Sequence, residues 1–267
     1  MVVPTFRPEA NVIAMLEQIA GSSRVLVVDD GSPCTFDPIL HEISAIPHVT
    51  VQRFSANAGI ARSLNFGMSE AWASGARWLL SVDQDSRIEE DYPHTAVSVA
   101  TSAVGSGVRV GALGAKRIMD ASGSIDYPSF LVESGDRVFD ATHEVMLSGT
   151  LWNLHALKEL HGFREDLGMD AVDAAACLAI RQRGYVVMLS EELTLHHRLG
   201  CAERVNFLGR SVLKTGHSSN RRRAMVLNRL RLFPAEFRQA PIHAIRTLRR
   251  TMVNQAVSSL PLMRKGQ

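Results

Sequence analysis

The sequence predicts an α/β fold with a mostly parallel central sheet, followed by a basic helical extension. Three observations predict it. Short apolar, β-branched runs alternate with longer helical patterns over the first hundred residues. Polar clusters at residues 29–32, 57–59 and 83–86 each follow a strand-like run. Charge is split along the chain: residues 198–267 hold 15 Lys+Arg against 2 Asp+Glu, and the first 197 hold 14 against 25.

Taken in order, Val2 to Phe6 reads as a strand and Glu9 to Ala20 as a helix with Val12, Leu16 and Ile19 on its apolar face. Arg24 to Val28 is a buried strand ending in the turn signal Asp29-Asp30-Gly31-Ser32. Val49 to Phe54 alternates as a strand, Ile60 to Ala73 is helical, and Trp78 to Val82 is a strand running into Asp83-Gln84-Asp85-Ser86. Strand and helix at this spacing imply a parallel sheet covered on both faces. Ligands of such sheets bind beyond the carboxyl ends of the strands, so the polar clusters are expected along one edge. Residues 105–150 read as Gly-rich turns and short strands. Asn153 to Leu160 and Ala171 to Arg183 read as helices, Tyr185 to Leu189 and Leu193 to His197 as extended segments. The tail reads as helical, punctuated by Pro234, Pro241 and Pro261. Its last segment places Ile242, Ile245, Leu248, Met252 and Val253 on one face, flanked by Arg246, Arg249 and Arg250.

Composition is that of a globular chain, 46% hydrophobic and 21% charged over 267 residues, which excludes disordered, collagenous and repeat classes. Cys34, Cys177 and Cys201 lie far apart with no CxxC spacing, so neither a disulfide framework nor a zinc knuckle is indicated. With no signal-peptide pattern and no transmembrane-length apolar run, the expectation is a cytoplasmic protein, or one peripheral to the inner face of the cell membrane. The basic tail points to something anionic: a membrane surface, nucleic acid or an acidic partner.

Asp83-Gln84-Asp85 is the strongest chemical signal. Two carboxylates one residue apart at a strand end suit a hard divalent cation, Mg²⁺ or Mn²⁺, which could bridge a diphosphate that the acidic edge alone repels. An Asp-rich turn capping the next helix is the competing reading. Asp29-Asp30-Gly31-Ser32 serves either as a plain turn or as a carboxylate that accepts from a base or ribose. Asn57-Ala58-Gly59 is weaker, fitting a loop and helix start equally well. His196-His197 ends an apolar strand and offers an imidazole to a metal, or is a solvated strand end. Asp170 and Asp173 stand at a helix start, as N-terminal acids or with Asp173 as a general base. Gly105-Ser106-Gly107 with Gly111 is rejected as a dinucleotide loop, because it follows a helix and precedes a strand.

In order, these clusters resemble glycosyltransferase family 2, more narrowly its bacterial rhamnosyltransferase-like branch. The matching pieces begin with Val3-Pro4-Thr5-Phe6-Arg7-Pro8, Val28-Asp29-Asp30-Gly31-Ser32, Asn57-Ala58-Gly59-Ile60-Ala61 with Leu64-Asn65, and Ser81-Val82-Asp83-Gln84-Asp85-Ser86. They continue with Ser148-Gly149-Thr150-Leu151, Met169-Asp170-Ala171-Val172-Asp173, Arg183-Gly184-Tyr185 and His197-Arg198-Leu199-Gly200. The resemblance implies a GT-A type, Rossmann-like nucleotide-sugar domain over residues 1–203, with the basic helical extension over 204–267. It implies that Thr5, Asp29, Asn57 and Asp83 bind the nucleotide sugar, that Asp83, Asp85 and His197 hold Mg²⁺ or Mn²⁺, and that Asp173 is the base of an inverting transfer. Gly149, Trp152 and Asp170 are placed on the acceptor side. The Asp-Gln-Asp-Ser form and the His-Arg-Leu-Gly ending favour a dTDP-rhamnose donor, with a UDP-sugar as the other choice. The implied acceptor is a hydroxyl of a saccharide or lipid-linked saccharide in cell-surface polysaccharide synthesis. Ala175 and Ala179 depart from the family, where an acid and an arginine are usual. That departure supports an alternative: a weak or inactive nucleotide-sugar binding protein of the same fold.

Two further classes are weaker. A phosphatase with an aspartyl nucleophile resembles haloacid-dehalogenase-type enzymes, but these carry the DxD after their first core strand and here it follows the fourth. A nucleic-acid binder rests on the basic tail alone, without interleaved aromatics, and is not expected.

Overall fold

The computed structural model describes residues 1–21, 23–120, 123–197, 203–207, 210–214 and 218–259. It divides into two compact units, Met1–Arg198 and Leu199–Gln267. The first unit opens with β1 (Val2–Thr5), α1 (Asn11–Ala20), β2 (Val25–Asp29), α2 (Asp37–Ser44), β3 (Val49–Arg53), α3 (Ile60–Ala73) and β4 (Trp78–Ser81). It continues with β5 (Ser86–Ile88), α4 (Tyr92–Gly105), β6 (Val110–Asp120), β7 (Gly123–Asp126), β8 (Phe130–Ser134) and β9 (Arg137–Ala141). It closes with β10 (Thr150–Asn153), α5 (Leu154–Glu159), α6 (Val172–Gln182) and β11 (Val186–His197).

The main sheet runs β3-β2-β1-β4-β10-β6-β11-β9-β8. Its first four strands are mutually parallel. All four residues of β1 are buried, as a central strand covered on both faces requires. Beyond β4 the sheet is mixed: β10 is antiparallel to both β4 and β6, and β6 and β11 are parallel. The core joins the inner faces of α1, α2 and α4 to the sheet through Leu16, Ile19, Ile43, Ala100, Leu113 and Leu151.

Connectivity fixes where a ligand can go. From β1 the chain moves outward through β2 to β3, then α3 carries it back to β4 on the other side of β1. The order therefore reverses between β1 and β4, and the crevice at such a switch point is where open α/β sheets bind ligands. Thr5 ends β1, and Asp83 follows two residues after the end of β4.

The sequence reading and the structure differ in the middle and the tail. The turns and short strands expected over residues 105–150 are present as β7, β8 and β9, but the first of that stretch is one 11-residue strand, β6. Its Gly111, Ala112, Gly114 and Ala115 leave no alternation to read, since the strand is sandwiched and a Cβ at Gly114 would sit 2.8 Å from Val145. The two extended segments of residues 185–197 are one strand, with a register irregularity between Ser190 and Thr194. Gly105 ends α4 and the chain runs on into β6, a helix-to-strand turn.

The second unit holds a two-stranded antiparallel hairpin, β12 (Glu203–Phe207) and β13 (Arg210–Lys214), where only helix was expected. It is followed by α7 (Ser219–Gln239) and α8 (Pro241–Ser259). Helix α7 runs through Pro234, so that proline does not stop it, whereas Pro241 opens α8. Among the described residues no helix is long and apolar enough to cross a membrane.

Gly31 joins the β2 turn to the loop before α3. Its φ is +73°, and a Cβ there would lie 2.7 Å from both Ala56 Cα and Asn57 N. Gly31→Ala should therefore destabilise the protein by about 2–4 kcal/mol, from left-handed strain plus backbone overlap. Urea unfolding checks this, and a loss below 0.5 kcal/mol would show that the two loops can part without cost.

Candidate functional site

The first loop is pinned at both ends. Phe6 N donates to Gln84 Oε1 at 3.0 Å and Gln84 Nε2 donates to Phe6 O at 3.2 Å, a two-point clasp between the β1 loop and the acidic turn. Arg7 N donates to Ser32 Oγ at 2.7 Å, and Arg7 itself holds a φ of +53°. Strained backbone of this kind persists only where its surroundings enforce it. Thr5 is buried at the strand end, its Oγ1 3.5 Å from Val28 O.

The β2 turn is held by its own carboxylates. Asp29 is fully buried, accepting from Ser32 N at 3.0 Å and from the Ser32 hydroxyl, with Arg53 Nε 3.2 Å away. Burial of this charge is tolerated because both oxygens are engaged and a guanidinium faces it. Asp30 accepts from Ala58 N at 2.7 Å and Gly59 N at 2.9 Å, tying the turn to the entrance of α3. Asn57, expected on the nucleotide side, is exposed in that loop. Asn65 on α3 fixes the far side: its Nδ2 donates to Phe163 O and Glu165 Oε1, and its Oδ1 accepts from Phe163 N.

Asp83, Asp85 and His197 come together, one ligand atom from each lying within 4.8 Å of the others. Ligands of an octahedral Mg²⁺ stand about 2.9 Å apart when adjacent and about 4.2 Å when opposite, so this set closes on a cation by side-chain shifts of up to about 2 Å. Strand pairing makes the meeting possible, since β5 runs antiparallel to β11 with His197 opposite Ser86. Asp83 N donates to Ser148 Oγ (2.9 Å), Ser148 Oγ to Ser86 Oγ (2.6 Å), and Ser86 Oγ meets His197 Nδ1 at 2.7 Å. A hydroxyl can accept as well as donate, so for His197 to act as a ligand its Nδ1–H donates to Ser86 Oγ and its Nε2 carries the lone pair that a cation needs. Both serines are buried. Gln84, Ser86 and Ser148 were not singled out in sequence, although each stands inside a quoted motif, because their partners are 62 to 111 residues away.

Asp173 lies in the first turn of α6, entered through a left-handed Ala171 (φ +67°), and its Oδ1 accepts from Ala174 N at 2.7 Å. Its charge reaches the metal-type cluster. Burial, then the charge of Asp85, then that of Asp173 push the Asp83 carboxyl up to about 7. Asp170 is half-buried in the segment just before α6.

Two residues assigned to the acceptor side are placed otherwise. Trp152 on β10 is fully buried, stacked edge-on against Phe163 with ring centroids 5.2 Å apart, and its indole N–H is used by Ser81 Oγ at 2.8 Å. It is a core residue and cannot touch an acceptor. Gly149 is buried too; its carbonyl accepts from the Tyr92 hydroxyl, and a Cβ on it would lie 3.1 Å from Leu195. Its role is to let the 148–150 turn pass close to α4 and β11. Ala175 is buried within α6, and Ala179 half-buried.

This is the GT-A fold, a mixed α/β domain with an acidic turn at its switch point. Residues 1–105 match the family model described as glycosyl transferase family 2, a stretch that covers the parallel half of the sheet and the Asp83–Asp85 turn. Solved structures share the fold across nearly the whole chain. S. aureus TarS 1–349 in complex with UDP-GlcNAc has a TM-score of 0.58 at 17% identity, over 97% of this chain and 72% of that one. The mannosyltransferase PcManGT from Pyrobaculum calidifontis, in complex with GDP-Man and Mn²⁺, has 0.59 at 16% identity, over 97% and 75%. GalNAc-T7 with UDP, GalNAc and Mn²⁺ has 0.57 at 10% identity, over 81% and 45%. No curated protein matches the chain in sequence.

The raised Asp83 fixes a pH dependence. A carboxyl whose folded pKa lies above its unfolded value binds more protons when folded, so stability falls as pH rises from about 4 through about 7. In metal-free protein, Asp83→Asn should have little effect near pH 4 and should stabilise by about 1–3 kcal/mol at pH 8. Denaturant melts in EDTA at the two pH values check this. Asn destabilising equally at both would mean that the carboxylate is held by partners rather than crowded.

Proposed function

We propose that this chain is an inverting, divalent-cation-dependent glycosyltransferase that moves a sugar from a nucleoside diphosphate donor to an acceptor hydroxyl. The observation that carries the reading is the meeting of Asp83, Asp85 and His197 at the switch point, with Asp173 close enough to perturb Asp83. The family match over residues 1–105 and the nucleotide-sugar complexes of neighbours with this fold support it. In this reading the exposed Asn57 would contact the nucleoside directly, and the buried Thr5 and Asp29 would shape its side of the crevice from beneath.

Asp83, Asp85 and His197 would hold Mg²⁺ or Mn²⁺, and their mixed oxygen and imidazole donors fit either ion. When bound, the ion neutralises charge on the leaving diphosphate. The chain's own residues supply the rest. Gln84 holds the acidic turn against the first loop, so that the donor-facing backbone is fixed before binding. Ser86 and Ser148 orient His197. Asp173 takes the proton from the acceptor hydroxyl as it attacks, and a single displacement with one base inverts the anomeric centre. Among donors, dTDP-rhamnose is favoured by the Asp83-Gln84-Asp85-Ser86 and His197-Arg198-Leu199-Gly200 pattern, with a saccharide or lipid-linked saccharide as acceptor.

Ala175 and Ala179 favour a second reading, a donor-binding protein with little transfer, because residues 174–180 of α6 carry no charge that could position an acceptor hydroxyl. One variant separates the two. Asp173→Asn should abolish transfer from dTDP-rhamnose or a UDP-sugar while leaving donor affinity within about threefold. Transfer retained by the variant would remove Asp173 as base. Wild-type binding with no transfer to any saccharide acceptor would support the second reading.

A further inference from the structure

Helices α7 and α8 run antiparallel, with Gln255 Nε2 3.4 Å from the Met225 sulfur. The buried face of α8 combines Ala244, Thr247, Gln255 and Ser258 with Val257, and Leu248 is half-buried. Four other large apolar residues are exposed. Ile242 is 73% exposed, Ile245 53%, Met252 49% and Val253 36%. At 100° per residue these four fall within one stripe, with the exposed Arg246 and Arg250 along one side and Arg249 within it, its long stem able to carry the guanidinium to the edge. An ordinary surface helix turns its large apolar residues inward, and contiguous apolar exposure of this kind marks a surface that something covers.

Charge selects the occupant. The two helices carry nine arginines and a single acid, Glu236, which is buried and paired with Arg229 at 2.8 Å. Helix α7 repeats the arrangement, with Leu227, Leu230 and Phe237 exposed beside Arg223, Arg231 and Arg238. A second copy of the same face would bring arginines against arginines. Nucleic acid would neutralise the arginines but leave Ile242, Ile245 and Met252 in water, and α8 offers no Phe, Tyr or Trp for a base to stack on. Only a surface that is anionic outside and apolar beneath satisfies both halves.

We infer that α8 docks on an anionic phospholipid bilayer, lying in its plane with the Ile242–Ile245–Met252–Val253 stripe in the headgroup–acyl boundary and Arg246, Arg249 and Arg250 on the lipid phosphates. The inference stands on the surface of α8 alone and goes beyond the proposed transfer, naming where the protein works rather than what it catalyses.

The test is co-sedimentation of the full-length chain with vesicles of equimolar phosphatidylglycerol and phosphatidylcholine, and with phosphatidylcholine alone. The anionic vesicles should bind at least tenfold more tightly. Replacing Arg246, Arg249 and Arg250 by alanine should weaken that binding about a hundredfold. The triple change Ile242→Ser, Ile245→Ser and Met252→Ser should weaken it at least tenfold. Helical circular dichroism and nucleotide-sugar binding should be unchanged in both variants, so that loss of docking is read apart from loss of the donor site. Trypsin cleavage after Arg249 and Arg250 in the unaltered chain should slow on anionic vesicles, a reading that requires no variant. Equal binding to both vesicle types, unaltered binding by both variants, or unprotected cleavage would each overturn the inference. So would a lipid-free dimer in sedimentation equilibrium that the serine variant abolishes, since the stripe would then be a self-association face.

Discussion

The structure depends on a repulsion. Asp83 and Asp85 present ligand atoms within 4.8 Å of one another, a separation at which two negative charges oppose each other by about 3 kcal/mol in a partly screened protein environment. Asp173 adds to the same field from another element, and burial denies Asp83 the water that would relieve it. A fold keeps such an arrangement only if surrounding contacts hold it and if a ligand repays it. The contacts are visible: the Gln84 clasp, the Ser148–Ser86–His197 chain and the left-handed Ala171 at the start of α6. A divalent cation carrying a diphosphate is the ligand that reverses the sign of the interaction.

The same logic explains the edge around it. Asp29 and Asp30 look alike in sequence but are spent differently, one on Ser32 and Arg53 within the turn, the other on the backbone of Ala58 and Gly59. Together with Gly31 they weld the β2 turn to the α3 entrance. Asn65 joins α3 to the segment leading toward α6. Thus the β2-turn side of the crevice is tied, hydrogen bond by hydrogen bond, to the stretch that precedes Asp173.

The polar edge was legible in sequence because a parallel sheet sends its strand ends one way, so Asp29, Asn57 and Asp83 had to share a side once their strands were read. Helix α3 was placed at both ends because its apolar period is clean. The first strands were recognised to within a residue or so. What failed were positions whose role depends on distant partners. Trp152 was taken for an acceptor contact, yet it packs on Phe163 and Ser81 inside the core. The small residues of β6 hid an 11-residue strand, since a strand sandwiched on both faces needs no alternation. Ser86 and Ser148 are ordinary serines until the pairing of β5 with β11 brings His197 beside them.

The central claim is that the crowded carboxylates exist to hold a cation that carries a nucleotide sugar. Calorimetric titration of dTDP-rhamnose and of a UDP-sugar into the protein, with Mn²⁺ and then in EDTA, tests it most directly. The account predicts binding of at least one donor with Mn²⁺ and a loss of at least thirtyfold in affinity when the ion is removed. Equal affinity with and without the ion would contradict it, and would mean that Asp83, Asp85 and His197 meet for another reason.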